Sequence, residues 1–382
     1  MDNRSRVLCG GCLLLLGLLS GCSPDAPTPP DAAPSDAAQA PEAPADPVAA
    51  RAHVAIDNAM AGWLASGLRV AAGDEVTLFT DGSLTVDGLV LEPRHLLWYR
   101  VGDDGDAMNF AANQETFVAP DDGEIFLTLR PFGLYWPDRR GTYPEGFSAA
   151  PAVPVDFQVE LVSFSGTAAY GLSAMAATGD AAATAALAVI AARKPLPAGF
   201  EPLWYLARSN VWADGASDGR PGITVETDDD FGIVKKALDI PLTPTTEIAF
   251  DWRYDAVPAL GPETEAGFHD YVSIAIEFDN GQDLTWMRSV SLSEGSHFRC
   301  PLPWWDSRET HFVLQSGATG LGEWSSHTRN VLADYQAAVQ GDPPSRIVGV
   351  WFIGNSVFGR QRAAASFADV AVIDGDQRVN VF

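Results

Sequence analysis

From residue 52 onward the apolar residues of this chain come in short runs that alternate with polar ones and stop at Gly, Asp, Asn or Pro. In EIAFDWRYD (247–255), Ile248, Phe250, Trp252 and Tyr254 fall on one face and Ala249, Asp251, Arg253 and Asp255 on the other. A period of two residues is that of a strand, and it denies these segments a helical stripe. HDYVSIAIEFDNGQD (269–283) repeats the pattern, with Val272, Ile274, Ile276 and Phe278 opposing Tyr271, Ser273, Ala275 and Glu277. Asp279-Asn280-Gly281 then predicts a tight hairpin turn made of residues that accept φ > 0, leading into a strand from Asp283 to Val290. GITVETD, HFVLQSG, RIVGVWFIGN and SFADVAVID add further strands. NVLADYQAAV is the one helical segment in this half, with Asn330 as its N-cap. Residues 197–382 are therefore expected to form an all-β sandwich of jelly-roll or lectin-like type.

Residues 52–165 follow the same grammar, with alternation at Val76 and Leu78 and turn signals at Gly73-Asp74 and Asp81-Gly82. They predict a first, smaller β-sandwich. Residues 166–196 change to an Ala-rich composition, where Thr178 or Asp180 starts a helix that Pro195 forbids beyond about Arg193. The expected fold is mostly β: two β-sandwich domains joined by an Ala-rich helical connector.

The amino terminus reads differently. MDNRSRV carries Arg4 and Arg6 and precedes LLLLGLLSG, an apolar stretch too short to remain as a membrane-spanning helix of about 20 apolar residues. Leu19-Ser20-Gly21-Cys22 closes it. This order resembles the bacterial lipobox, which implies that residues 1–21 are a signal peptide and that Cys22 is lipidated. The resemblance places the chain in the bacterial cell envelope, held to a membrane through its lipid. Ser23 after the cysteine directs it to the outer membrane, on its periplasmic or its surface face. Residues 22–51 are Pro-, Ala- and Asp-rich and predict a disordered, semi-rigid tether. Cys9 and Cys12 go with the signal, so Cys300 is left without a disulfide partner. The net charge of −26 excludes nucleic acid as a partner and leaves membrane attachment to the lipid rather than to basic patches.

Two further resemblances cover the folded regions. GDEVTLFTDG, LLWYRVGDDG, TFVAPDDGEIFLTLRP and VDFQVELV are similar to the galactose-binding PA-I lectin (LecA-like) sandwich. In that family a loop with Asp, Thr and paired Asn holds calcium and sugar. Here the corresponding tract is PFGLYWPDRRGTYPEGF, which lacks the Asn pair, so no calcium cofactor is expected. Tyr135, Trp136 and Asp138, with Thr142, remain as a candidate polar and aromatic rim. DWRYD, HDYVSIAIEFDNGQDLTW, GEWSSHTRNVLADYQAAVQGDPPSRIVGVWFIGNS and ASFADVAV resemble the family called "domain of unknown function 3047" over roughly residues 197–375. That likeness transfers no catalytic residue.

No G-x-S-x-G elbow, H-E-x-x-H or P-loop occurs, and the six histidines lack metal-ligand spacing, so no metal is expected. Asp279 and Asp283 are sufficiently explained as turn residues. If the strands around Asp251 and Glu277 share one sheet, its polar face collects Asp251, Arg253, Asp255, Tyr271, Ser273 and Glu277, with His269 and Asp270 at the strand end. Arg299, Trp304, Trp305, His311, Trp324 and Arg329 add aromatic and basic groups near other strand ends. Indole faces suit sugar C–H surfaces, and carboxylates with arginine suit hydroxyls.

Three readings stand. The chain is a glycan-binding or envelope-interaction protein without catalysis, a polysaccharide lyase or glycoside hydrolase, or a structural lipoprotein. As a lyase, His269 or Tyr271 would be the base with Arg253 on a uronate. As a hydrolase, Glu277 and Asp251 would be the acid/base pair.

Overall fold

The computed structural model describes residues 46–60, 62–86, 89–130, 136, 138–143, 153–203, 209–258, 261–269, 271–302, 305–339 and 341–382. Cys22, Tyr135, Asp270 and Trp304 lie outside them.

The chain is mostly β, as its alternation predicts. The first sandwich stacks two four-stranded sheets. In spatial order, one contains Val48–Asp57, Asp156–Phe164, Glu75–Asp81 and Gln114–Val118, and the other Leu64–Val70, Gly123–Leu129, Leu97–Val101 and Met108–Asn109. Its core includes Ile56, Val76, Leu78, Leu97, Ile125, Leu127, Phe157 and Leu161, the inward members of alternating runs. The first strand reaches back to Val48, into the Pro/Ala-rich tract, pairing Val48 with Phe164.

Two helices follow, Ala168–Ala177 and Ala181–Ala191, capped by Thr167 and Asp180. Asp180 accepts from the Ala183 N–H at 3.0 Å, the expected use of an Asp at that position. Leu172, Met175, Ala183 and Ala186 pack with Phe79, Val162 and Phe164 of the first sandwich. Gly171 permits this approach, because a Cβ there would lie 2.1 Å from the Phe164 ring.

The second sandwich is larger. A seven-stranded sheet runs Glu201–Pro202, Phe231–Pro241, Arg346–Asn355, Val272–Phe278, Asp283–Ser289, Glu309–Ser316, His297–Arg299. The facing six-stranded sheet has Trp212–Ser217, Arg220–Thr227, Ala363–Asp374, Thr246–Ala256 and Ser325–Asn330 in order, with Gln377–Asn380 pairing onto Ala363–Asp374. Between them lies one aromatic-rich core that includes Phe250, Trp252, Trp286, Phe352 and Phe367. Each large buried side chain contributes roughly 1.5–3 kcal/mol. The buried indoles keep their N–H groups paired: Trp252 donates to Gln315 at 2.7 Å, Trp286 to Asp334 at 2.9 Å and Trp212 to the Gly232 carbonyl at 2.8 Å. Asn330 caps the helix Val331–Ala338, whose Val331 and Tyr335 join this core.

Two expectations fail here. The strands carrying Asp251 and Glu277 belong to different sheets, so no single polar face unites them. The strand Val272–Phe278 is also buried on both faces, because Ala275, Trp351, Ile353 and Leu203 form a second small core on its far side. Alternation predicts a strand with two unlike faces, but it does not say whether the polar face is wet. The hairpin itself is as predicted, although only Gly281 (φ 77°) takes the left-handed conformation. Its N–H bonds the Phe278 carbonyl at 3.1 Å.

Candidate functional site

The outer face of the six-stranded sheet carries the first cluster. Asp218-Gly219 is a two-residue turn between Trp212–Ser217 and Arg220–Thr227, with φ of 49° and 77° as such a turn requires. It places Asp218 against Arg253, whose Nε also bonds Asp255 at 2.7 Å. Just past the turn, Arg220 pairs with both Asp251 and Asp369. The Arg220 guanidinium carbon lies 4.5 Å from the centroid of the half-buried Trp324 ring. Asp369 (φ 54°) sits where the register shifts between Ala249 and Asp251, an irregularity that turns its carboxyl toward Arg220. Asp218 and Asp369 thus accept strained backbone and hold Arg253 and Arg220. Their carboxyls are 64% and 69% exposed. Four carboxyls surround two guanidiniums, leaving this cluster acidic.

A second cluster is buried on the far side of the seven-stranded sheet. Glu277, Asp283 and Glu309 are neighbours across three adjacent strands. Lys235 pairs with Glu277 at 2.6 Å, and Arg308 bridges Asp283 at 2.8 Å and Glu277 at 3.5 Å. Trp351 donates to Glu277 at 3.1 Å. Gly349 leaves the room, since a Cβ there would lie 3.0 Å from Lys235 Cε and 3.3 Å from Glu277 Oε2. Asp283 is fully buried, so the turn alone does not explain it. Burial, with Glu309 beside it, pushes its carboxyl well up. Burial also opposes ionisation of Glu309, but His311, His269 and Cys300 outweigh it and hold that carboxyl low.

The acid/base candidates are enclosed. His269 is 4% exposed, contacts the Ala266 carbonyl through Nδ1 at 2.9 Å and packs against Phe358. Burial, then His311, lowers its pKa to about 4. Tyr271 donates to the Arg288 carbonyl at 2.5 Å and to Glu263 at 3.3 Å, and burial raises its pKa well above 10. Arg253 lies on the other sheet and cannot serve a site with either.

The remaining candidates are dispersed. Arg299 bonds Gln282 at 2.8 Å, and Trp305 packs edge-on to Trp351. His311 is buried, and Arg329 grips Asp334 at 2.8 Å beside the Trp286 indole. In the first sandwich Trp136 is core rather than rim: it is fully buried, among Trp63, Trp98, Tyr143 and Arg130. Asp138 caps its own loop by accepting from the Arg140 and Thr142 amides at 3.0 and 3.1 Å.

A pocket of about 340 Å³ lies among Ala111, Ala112 and Glu115 of the first sandwich, the end of the second helix, and Ser209, Asn210 and Asp230 of the second sandwich. Burial raises the pKa of Glu115 to about 7 and that of Asp230 to about 6.

Sequence reasoning therefore found Asp251, Arg253 and Trp324 of the exposed cluster and missed Arg220, Asp218 and Asp369. The Asp218-Gly219 pair between two β-runs was the available signal. It also missed Lys235, Arg308 and Glu309. Glu309-x-His311, two residues apart in one strand, was visible in principle.

The fold and these clusters define a mostly-β protein of two stacked-sheet lobes with a paired-charge face on the second. Residues 205–371 match the family described as "Protein of unknown function (DUF3047)", in agreement with the resemblance of the C-terminal half. A search of curated proteins gives no match. Among solved structures the chain is similar to the xyloglucanase domain of NopAA, a type three effector from Sinorhizobium fredii, in complex with cellobiose. The identity is 10%, the TM-score 0.26, and the match covers 47% of this chain and 93% of that one.

Proposed function

We propose that this is a lipid-anchored protein of the bacterial envelope, attached through Cys22 in the outer membrane, that binds a neutral, hydroxyl-rich glycan without cleaving it. The site is the outer face of the six-stranded sheet. The observation that carries this reading is the Arg220 node, where a guanidinium held by Asp251 and Asp369 lies against a half-buried indole. Carboxyls and guanidiniums fixed in mutual pairs offer acceptors and donors to hydroxyls, and the indole edge offers apolar surface to a sugar ring. The excess of carboxyls over arginines disfavours an anionic polymer. The lyase and hydrolase readings are weaker, because a general base must reach its substrate, His269 and Tyr271 are buried, and Glu277 is engaged by Lys235, Arg308 and Trp351.

A glycan array with the Ser23–Phe382 fragment, with and without calcium, tests the proposal. Binding should be calcium-independent, and Trp324→Ala or Arg220→Ala should weaken it by about 10- to 100-fold, as loss of a central aromatic or Arg contact does. An array without a hit, or variants that bind unchanged, refutes the site. Appearance of unsaturated or reducing-end product would instead favour an enzyme. Mass spectrometry of the native amino terminus tests the anchor, which requires acylated Cys22.

A further inference from the structure

We propose that Cys300, Glu309 and His311 form a site for a divalent transition metal, zinc by donor chemistry, that pins the edge of the seven-stranded sheet. Glu309 and His311 are two residues apart on the strand Glu309–Ser316, so their side chains leave the same face. Cys300 directly follows the edge strand His297–Arg299, which pairs antiparallel with it, and the Cys300 N–H bonds the Glu309 carbonyl at 3.0 Å. One donor atom from each of the three residues lies within 4.8 Å of the others, and all three residues are buried. A tetrahedral zinc ion, with sulfur at about 2.3 Å and nitrogen or oxygen at about 2.0 Å, sets its ligand atoms roughly 3.3–3.8 Å apart. His311 Nε2 and Glu309 Oε2, 3.6 Å apart, already stand at that spacing.

The surroundings are those of a supported site. Thr285 donates its hydroxyl to Glu309 at 3.1 Å and orients the carboxyl. Asp283 is the neighbour of Glu309 across the parallel ladder, and its Oδ1 has no hydrogen-bond partner among the described residues. Asp283, held through its other oxygen by Arg308 at 2.8 Å, stands beside the three donors rather than among them. His269 closes the far side, its ring centroid 6.3 Å from that of His311. A thiol with an imidazole and carboxyls suits zinc, whereas calcium and magnesium prefer oxygen-only sets. The three donors are all buried, which denies a substrate access to the ion and makes its role structural. Binding releases the Cys300 proton to solvent and joins the edge strand to its neighbour through metal bonds as well as the backbone ladder.

The test is to strip the full chain with a chelator, reload it with zinc or cobalt, desalt it and measure metal content and absorption. One equivalent of zinc, and a cobalt form showing thiolate charge transfer and tetrahedral d–d bands, is the expected result. Cys300→Ser should abolish the charge-transfer band, and His311→Ala should lose the metal. Thr285→Val should keep the band but weaken zinc binding by about 10- to 100-fold. A reloaded wild-type chain holding well under one equivalent overturns the proposal, and so does full metal content without the thiolate band. Because both readouts are made on the wild-type chain, a variant that fails to fold does not rescue it.

Discussion

Glu263 shows how a buried carboxyl can be structural. It is fully buried and accepts from the Val290 amide at 2.6 Å, Ser289 at 2.7 Å, Ser291 at 2.8 Å and Tyr271 at 3.3 Å. Removing the acceptor would strand several donors, each costing about 1–3 kcal/mol. Glu263→Ala should therefore destabilise the fold by about 3 kcal/mol or more in chemical denaturation. Tyr271→Phe should cost only about 1 kcal/mol, because it loses one good hydrogen bond and keeps the ring in the core. A Tyr271→Phe variant that melted like Glu263→Ala would contradict this account of the tyrosine. At this scale the sequence showed which residues sit on the polar side of a strand. It could not show that Tyr271 and Glu277 are covered, since the covering groups come from segments distant in the chain.

At the scale of elements, the Asp218-Gly219 turn links stability to the proposed binding face. Gly219 has φ 77° with open space around its missing Cβ, so a substitution there meets backbone strain rather than collision. Gly219→Ala should lower stability by about 1 kcal/mol, measured by thermal melting. It should also weaken glycan binding, because the turn holds Asp218 on Arg253. Unchanged binding with the expected loss of stability would remove Asp218 from the site. The strand Thr246–Ala256 was wholly legible, since its Ile248, Phe250, Trp252 and Tyr254 are all in the core. The bulge that presents Asp369 was not legible, because a positive φ at an Asp depends on the register of neighbouring strands.

In the whole molecule the two sandwiches cluster as one unit, and Arg94 joins them by bonding the Asp229 carbonyl at 2.9 Å and its carboxyl at 2.8 Å. The cavity at this junction makes stability depend on pH. Burial raises Glu115 from 4.5 to about 7, so between those values the folded chain binds more protons than the unfolded one. The contribution of Glu115 to stability should be fullest below about pH 4.5 and be lost as pH rises through 7. Glu115→Gln keeps an acceptor for the Ala111 and Ala112 amides and removes the ionisation. That variant should exceed wild type by on the order of 2–3 kcal/mol at pH 8 and match it near pH 4.5. Denaturant titrations at the two pH values decide the point, and equal stabilities at pH 8 would refute the assignment.

Local chemistry was enough to predict strands at the alternating runs, a helix start at Thr178 or Asp180, the Asn330 cap and the hairpin around Gly281, because periodicity, capping and turn preference act within a few residues. The pairing of sheets, the burial of both faces of Val272–Phe278, the meeting of Arg220 with Asp251 and Asp369, and the gathering of Cys300 with Glu309 and His311 were decided only by the tertiary structure. Each requires register between strands far apart in sequence, and a side chain's own neighbours along the chain carry no information about which strand will lie beside it.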